Sequence, residues 1–310
     1  MNLYKGNANT LRDELNSLKI KPNTKVVEYE VNENKTCSLL TTFSTVSGLV
    51  QYLNNQPLNP VFCKYEKAIA SHKVLTSPSK FNACLTWDEA VNKLMYGDEL
   101  NVEKLNAAIK LQTVPEPAQK DRMVFDVAGF NACVPRYLQG IPAAMYNKKK
   151  VETKRKVVTL NKCIDYNAGQ SATEIYEWSA RTVRIIQAIE RMGYKVNLNV
   201  LDACYFDMYC KYPIEFVQYR VKNANEPLNI RKLAFMLTNP DMLRRISFRY
   251  YEVCDTYKVN GLYSKNNLTY GMCVDEKIYK ALFNNNALNE IYLPRIVEED
   301  DLKNIQKLLS

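Results

Sequence analysis

Residues 156–206 decide the fold: KVVTLNKCIDYNAGQSATEIYEWSARTVRIIQAIERMGYKVNLNVLDACYF. In the first part, Val158, Leu160 and Ile164 fall at even positions, which places them on one side of a half-buried strand. A second strand is predicted near the end of the stretch. It is marked by alternating apolar residues at Val196, Leu198 and Val200.

A long amphipathic helix separates the two strands and ends at Gly193. Its apolar residues are spaced three and four apart, which is the period of one helix face. They are Ile175, Trp178, Thr182, Ile186, Ile189 and Met192. A helix of about 20 residues between two strands has the length of a parallel crossover, so the stretch predicts a βαβ unit. The expected fold class is therefore α/β, with a mostly parallel, Rossmann-like sheet and flanking helices.

The region before this unit is expected to be smaller and mainly helical. Helices are predicted behind Asn9 and Thr10, from Val46, and behind Thr86, while Val26 to Val31 is predicted as one short strand. Residues 113–121, TVPEPAQKD, contain two prolines among polar residues and form the candidate linker. The expected domains are a mainly helical N-terminal region at 1–120 and an α/β core domain at 121–310.

Composition favours a globular protein that stays in a reducing compartment. The chain has 310 residues, 46% of them hydrophobic, and a net charge of +9. Nine scattered cysteines without a C-x-x-C pair indicate free thiols, and the N-terminus lacks the apolar core of a signal peptide. No run of about 18 apolar residues predicts a membrane span. The single histidine, His72, excludes zinc sites built from several histidines.

Carboxylates at predicted strand ends are the candidate chemistry. Asp126, Asp165 and Asp202 each follow or end a predicted strand, and the carboxyl ends of parallel strands meet at one edge of a sheet. Such a group could hold Mg²⁺, although aspartates are also common there because they cap turns. The chain has no phosphate-binding glycine loop and no nucleophile elbow, so an enzyme is not favoured and no cofactor is expected apart from a possible Mg²⁺.

Two groups of basic residues are candidates for binding nucleic acid. The first is a dense run that consists of Lys148, Lys149, Lys150, Lys154, Arg155 and Lys156. The second group, Arg244, Arg245 and Arg249, lies on the second helix of a helix–hinge–helix segment. Each group has a structural alternative: the run could be a solvated approach to the first core strand, and the helix pair is apolar enough to cover a sheet.

Three segments resemble a tailed-bacteriophage protein family of unknown function. They are TWDEAVNKLMYGDE (86–99), VFDVAGFNACVPRYLQGIPAAM (124–145) and VKNANEPLNIRKLAFMLTNPDMLRRISF (221–248), with the βαβ unit between the second and third. The resemblance covers residues 86–250 in the same order. It implies a phage protein of the host cytoplasm or the virion, without naming an activity.

The βαβ unit is also similar, at the level of fold, to a von Willebrand factor A-like domain. That resemblance implies a D-x-S-x-S site after the first strand, where a metal bridges to a partner protein. In DYNAGQS (165–171) only Asp165 matches, since Asn167 replaces a serine and Gly169 stands at the next position. The expected binding edge consists of Asp126, Asp165, Asn167, Ser171 and Asp202.

Three hypotheses follow from the sequence. The first is a non-enzymatic phage protein that binds a partner protein or itself, in assembly or in host takeover; abundant tyrosine suits such an interface. The second is a nucleic-acid-binding protein that uses the basic residues. The third is a Mg²⁺-dependent enzyme acting on phosphodiesters, for which no general base or nucleophile can be named. A membrane partner is not expected.

Overall fold

The structure is a computed structural model of the full chain. It describes residues 8–18, 23–60, 71–79, 82–110, 122–149, 156–166, 169–204, 215–259, 274–283 and 290–309. No helix in these ranges is long and apolar enough to cross a membrane. The expected domain boundary at residue 120 lies outside the described residues.

The strands form two sheets. The main sheet has six strands: β1 (Thr24–Val31), β2 (Asn34–Phe43), β6 (Val157–Cys163), β7 (Lys195–Cys204), β8 (Glu215–Lys222) and β9 (Glu290–Leu293). The small sheet has three: β3 (Arg122–Asp126), β4 (Asn131–Ala132) and β5 (Met145–Lys149). The spatial orders are β1-β2-β8-β7-β6-β9 in the main sheet and β3-β5-β4 in the small sheet.

The described α-helices are α1 (Ala8–Leu18), α2 (Val46–Asn55), α3 (Trp87–Tyr96), α4 (Glu99–Lys110), α5 (Val134–Leu138), α6 (Ala172–Arg191), α7 (Ile230–Thr238), α8 (Phe248–Val253), α9 (Glu276–Phe283) and α10 (Glu299–Leu309). A π-helical segment, Met242–Ser247, runs directly into α8, and a 3₁₀ turn, Asp255–Lys258, follows it. The long crossover helix α6 begins with a complete capping box between Ser171 and Glu174.

The predicted crossover is confirmed, but the prediction of a mostly parallel sheet is wrong. Strands β6 and β7 pair in parallel through α6, and β6–β9 and β2–β8 are also parallel. Strands β1–β2 and β7–β8 pair antiparallel, so the sheet is mixed and neither Rossmann-like nor von Willebrand factor A-like. Alternation of side chains has the same period in both kinds of sheet, so it does not reveal the direction of the neighbouring strand.

The N-terminal region contributes two strands to the main sheet, where one short strand and a mainly helical region were expected. Strand β2 pairs with β8 and is buried along most of its length. A strand that is buried on both faces loses the alternation by which strands are recognised, and its sequence, NKTCSLLTTF, shows none. Strand β1 then pairs with β2 through a tight hairpin in which Asn32 and Glu33 have positive φ angles.

Neighbouring residues of the main sheet point into two separate apolar cores. Leu39, Val200 and Val217 belong to the larger core with helices α6 and α7, whereas their neighbours belong to the smaller core with helix α9. Those neighbours are Leu40, Leu201 and Phe216. Each such buried side chain contributes about 1.5–3 kcal/mol. Neither core, as far as the described residues form it, contains a residue of 122–149.

Candidate functional site

Two residues of the expected binding edge lie side by side inside the protein. Asp202 is in β7 and Asp165 comes just after β6, and both side chains are only 5% exposed. The parallel register brings them together, because the N–H of Ile164 donates to the carbonyl oxygen of Leu201 at 3.0 Å. The Asp165 Oδ1 atom also accepts a hydrogen bond from the N–H of Ala203 at 3.3 Å.

The two carboxyl groups are hydrogen-bonded to each other and to two tyrosines. The hydroxyl of Tyr279, from α9, donates to Asp165 Oδ2, and that of Tyr251, from α8, donates to Asp202 Oδ2 at 2.9 Å. Burial raises the pKa of Asp165 well above its usual value, and the neighbouring charge of Asp202 raises it further. Burial also raises the pKa of Asp202. Both groups therefore take up a proton more readily in the folded protein than free carboxyl groups do.

A third buried carboxyl group, Glu215, lies at the start of β8. It accepts hydrogen bonds from the hydroxyls of Tyr250 at 2.5 Å, Thr256 at 2.8 Å and Thr41 at 3.0 Å. Burial raises the pKa of Glu215 to about 7. These hydrogen bonds connect β2, β8 and α8 in the protein interior.

The other expected binding-edge residues lie elsewhere. Asp126 ends β3 in the small sheet and accepts the N–H of Val127 at 2.8 Å, so the three strand-end aspartates do not converge. Ser171 is exposed and serves as the N-cap of α6. Asn167 lies outside the described residues. No group of three or more acidic, histidine or cysteine side chains suited to a metal ion is found in the described ranges.

The three arginines predicted to face nucleic acid are engaged with the protein. Arg245 is fully buried, pairs with Asp241 at 3.1 Å, and donates to the carbonyl oxygens of Ser71, Lys73 and Cys84 at 2.8 to 3.0 Å. Arg249 donates to two carbonyl oxygens at the end of α2. The guanidinium of Arg244 lies over the Phe248 ring at 5.7 Å.

Part of the basic run lies at the end of strand β5 in the small sheet. Lys148 and Lys149 are the last residues of β5, and Lys149 is paired in register with Arg122. Lys156 is exposed just before β6. Lys150, Lys154 and Arg155 lie outside the described residues.

The small sheet and α5 carry a large apolar surface that the sequence analysis did not single out. Seven of the twelve large apolar side chains that are exposed in the described ranges occur between positions 123 and 138. We call this set the apolar patch: Met123, Phe125, Val127, Phe130, Val134, Tyr137 and Leu138. Exposed apolar side chains that are concentrated in one part of a protein mark binding sites more often than scattered ones do.

Short-range contacts fix the geometry of the apolar patch. The rings of Phe125 and Tyr146 are 4.9 Å apart, and the guanidinium of Arg136 lies 4.2 Å above the Phe125 ring. The turn between β3 and β4 is held to β5 because the N–H of Phe130 donates to the carbonyl oxygen of Tyr146 at 2.9 Å. A Cβ atom on Gly129 would stand 2.1 Å from that same oxygen, so only glycine fits.

A family model described as a domain of unknown function (DUF7192) matches residues 33–309. The chain belongs to the DUF7192 family. No curated protein and no solved structure matches it. The expectation of a family of unknown function is confirmed at that level. The matched range includes the small sheet and every strand of the main sheet except β1, so the buried carboxyl groups and the apolar patch both lie within the family's domain.

The apolar patch of this DUF7192 domain had only a weak signal in the sequence. The segment MVFDVAGFNACVPRYL has the composition of a buried strand and turn, and composition does not say which way a side chain faces. The sixteen positions hold eleven apolar residues, interrupted by Gly129 and Pro135, which is more apolar surface than such short elements usually bury. That mismatch between apolar content and element length is the signal that was available.

Proposed function

We propose that this protein is a non-enzymatic bacteriophage protein that binds another protein through the apolar patch, in assembly or in host takeover. One observation carries the proposal: the large exposed apolar side chains are concentrated on the small sheet and α5. The protein would act in the host cytoplasm or in the virion. The binding needs neither a metal nor a cofactor.

The composition of the apolar patch supports a protein partner. Met, Phe, Tyr and Arg are enriched at the centres of protein interfaces, and the patch with Arg136 contains all four. The buried carboxyl groups do not serve this role, because Asp165 and Asp202 are enclosed by α8 and α9. We therefore place the binding surface on the small sheet and not on the carboxyl ends of β6 and β7.

The test compares two matched double variants of the full chain. Tyr137→Ser with Leu138→Ser removes two patch side chains that are 72% and 78% exposed. Tyr96→Ser with Leu100→Ser removes the same two residue types, 76% and 66% exposed, from α3 and α4. Since an interface anchor contributes about 2 kcal/mol or more, the patch variant should lose roughly 30-fold or more in affinity for the partner.

The measurement is quantitative recovery of proteins on each variant from phage-infected cells, followed by titration of the recovered protein in purified form. Light scattering of the purified chain measures its molar mass and so shows whether it self-associates. We expect one partner, or the dimer, to be lost in the patch variant and kept in the α3–α4 variant. Equal binding by the wild type and both variants, or no binding by any of them, would contradict the proposal.

A second candidate function is binding of nucleic acid near the open end of the small sheet. The observation that favours it is the placement of Lys148 and Lys149 at the end of β5, opposite Arg122, with exposed Lys156 following in the chain. Arg245 and Arg249, the other candidate cations, form ion pairs within the protein. Its test by salt dependence is given in the Discussion.

A further inference from the structure

We propose that Arg136 is the polar anchor of the apolar patch and binds a carboxylate carried by an apolar segment of the partner protein. This inference rests on the proposed protein-binding function and specifies the chemistry of the partner. The carboxylate is that of an aspartate, a glutamate or a chain terminus, flanked by apolar residues that cover the patch.

The first observation is the state of the Arg136 guanidinium. Its Nε atom is buried and has no hydrogen-bond partner, and Arg136 takes part in none of the ion pairs found among the described residues. A buried donor without an acceptor is unfavourable, so a ligand acceptor that reaches the guanidinium would offset part of this cost. This donor lies against Phe125, which is a residue of the apolar patch.

The second observation is that the guanidinium lies over an aromatic ring. It lies 4.2 Å above the Phe125 ring, and Phe125 is in turn packed against Tyr146. A guanidinium that lies over an aromatic ring can still donate two parallel N–H···O bonds from its edge, which is the geometry that a carboxylate accepts. Little side-chain entropy remains to be lost when the ligand binds.

The third observation is the charge of the surrounding region. Residues 122–149 contain the basic side chains Arg122, Arg136, Lys148 and Lys149, and one acidic side chain, Asp126. Complementarity therefore favours an acidic partner. A protein segment fits better than nucleic acid, because Val127, Val134 and Leu138 give aliphatic surface that neither stacks with bases nor bonds to phosphates.

The experiment uses a displayed library of random peptides selected on the full-length wild-type protein. Peptides that also bind the variant Tyr137→Ser with Leu138→Ser are removed, which leaves ligands of the patch. We expect the remaining peptides to combine aromatic or aliphatic residues with an Asp, a Glu or a free C-terminal carboxylate. A synthetic peptide of the enriched sequence is then titrated by fluorescence anisotropy.

A double-mutant cycle assigns the carboxylate to Arg136. Arg136→Gln in the protein and the change of the acidic residue to its amide in the peptide should each weaken binding about 10- to 100-fold. Because both changes remove the same contact, the two together should weaken binding no further than either alone. Arg136→Lys keeps the charge but loses the bidentate fork, and should fall between wild type and Arg136→Gln.

Three controls keep the result interpretable. Arg191→Gln removes an exposed guanidinium from the end of α6 and should leave peptide binding unchanged. Circular dichroism and the thermal midpoint show whether Arg136→Gln still folds. If it does not, Arg136→Lys replaces it as the protein variant in the double-mutant cycle. A single-stranded thymidine oligonucleotide tests whether nucleic acid competes for the site.

The outcomes separate this inference from the proposed function. Patch-specific peptides without a carboxylate, or losses that add in the cycle, would overturn the role of Arg136 while leaving the apolar patch as a protein-binding surface. Displacement of the peptide by the oligonucleotide at comparable concentration would overturn the choice of a protein partner. If the library gives no patch-specific peptide and the patch variant loses no partner, the proposed function itself fails.

Discussion

Asp165, just after β6, and Asp202, in the parallel neighbour β7, share a hydrogen bond in the protein interior, and they accept hydrogen bonds from Tyr279 and Tyr251, respectively. Burial raises the pKa of both carboxyl groups, and the neighbouring charge of Asp202 raises the pKa of Asp165 further. In the sequence these residues were candidates for a binding edge. In the structure they join the sheet to α8 and α9, and their charge is coupled to stability.

We expect the free energy of unfolding to fall as the pH rises from about 5 to about 7. Glu215 has a pKa of about 7 when folded, against an ordinary value of 4.5, so the folded chain binds more protons than the unfolded chain in this interval. Stability that is present below the ordinary pKa is therefore lost as the pH rises through the folded pKa. Asp165 acts with the same sign, because its pKa is also raised. The Glu215 shift alone corresponds to at most about 3 kcal/mol.

Urea unfolding at pH 5, 6 and 7 measures this dependence in the wild type and two variants. In Glu215→Gln and Asp165→Asn the substituted side chain is uncharged at every pH. Each variant should therefore show a smaller slope of the free energy of unfolding against pH. Glu103→Gln, on the exposed side of α4, should not change it. Burial lowers the pKa of Lys162 to about 7, so that residue changes stability with the opposite sign and only above this interval. A Glu215→Gln protein with the wild-type slope would contradict the prediction.

Arg245→Ala should destabilise the protein by about 3–5 kcal/mol, since it leaves Asp241 as a buried charge that has lost its cation. It also removes the donors for the carbonyl oxygens of Ser71, Lys73 and Cys84, which lie far from Arg245 in the sequence. Urea unfolding measures the loss, and Arg191→Ala on the surface of α6 should cost less than about 0.5 kcal/mol. A mild effect of Arg245→Ala would mean that these contacts contribute little to stability.

Gly129→Ala should disrupt the small sheet without unfolding the main sheet. The new Cβ atom would lie 2.1 Å from the carbonyl oxygen of Tyr146, so the turn before β4 has to move away from β5. Because residues 122–149 belong to neither apolar core, the unfolding transition of the main sheet should stay nearly unchanged. Hydrogen exchange should show that the N–H of Phe130, which bonds to that oxygen, loses its protection. The control variant Ala128→Gly, in the same exposed turn, should keep this protection. Unchanged protection at Phe130 would show that the turn accommodates a side chain.

If nucleic acid binds the basic run, its affinity should fall steeply with salt, with a slope of about −0.9 in log K against log salt for each duplex phosphate contacted. Neutralising the run should flatten the slope; its residues are Lys148, Lys149, Lys150, Lys154, Arg155 and Lys156. The control variant neutralises six exposed cations on other elements: Lys25, Lys35, Lys104, Arg191, Lys277 and Lys307. Filter binding or anisotropy at several salt concentrations gives the slopes. The same slope in wild type and in the run variant would remove these residues from any nucleic-acid function.

Local signals in the sequence predicted local structure well. The stripe of α6 predicted the crossover that joins β6 and β7, and Thr86 with Glu89 predicted a helix start at which the Thr86 side chain accepts the Glu89 N–H. These features depend on residues three or four apart on the same segment. They are therefore readable without knowledge of the rest of the chain.

Strand β2 and the direction of β8 were not predictable in this way. A strand buried on both faces has no alternation, and antiparallel strands alternate as parallel ones do. The candidate site was predicted only in part for a related reason. The adjacency of Asp165 and Asp202 followed from parallel strand ends, but their enclosure depends on Tyr251 and Tyr279, which lie 49 and 114 residues away from their partners.

The sequence alone determined the β6–α6–β7 unit, several helix starts and the excess of positive charge, because these depend on composition and on short-range spacing. Only the tertiary structure decided which side chains face outward. It placed the carboxyl groups of Asp165, Asp202 and Glu215 inside and the apolar patch of Phe130, Tyr137 and Leu138 outside. Burial is a property of contacts between distant segments, so residue type gives only a tendency, and the packing of the whole chain decides which residues a partner can contact.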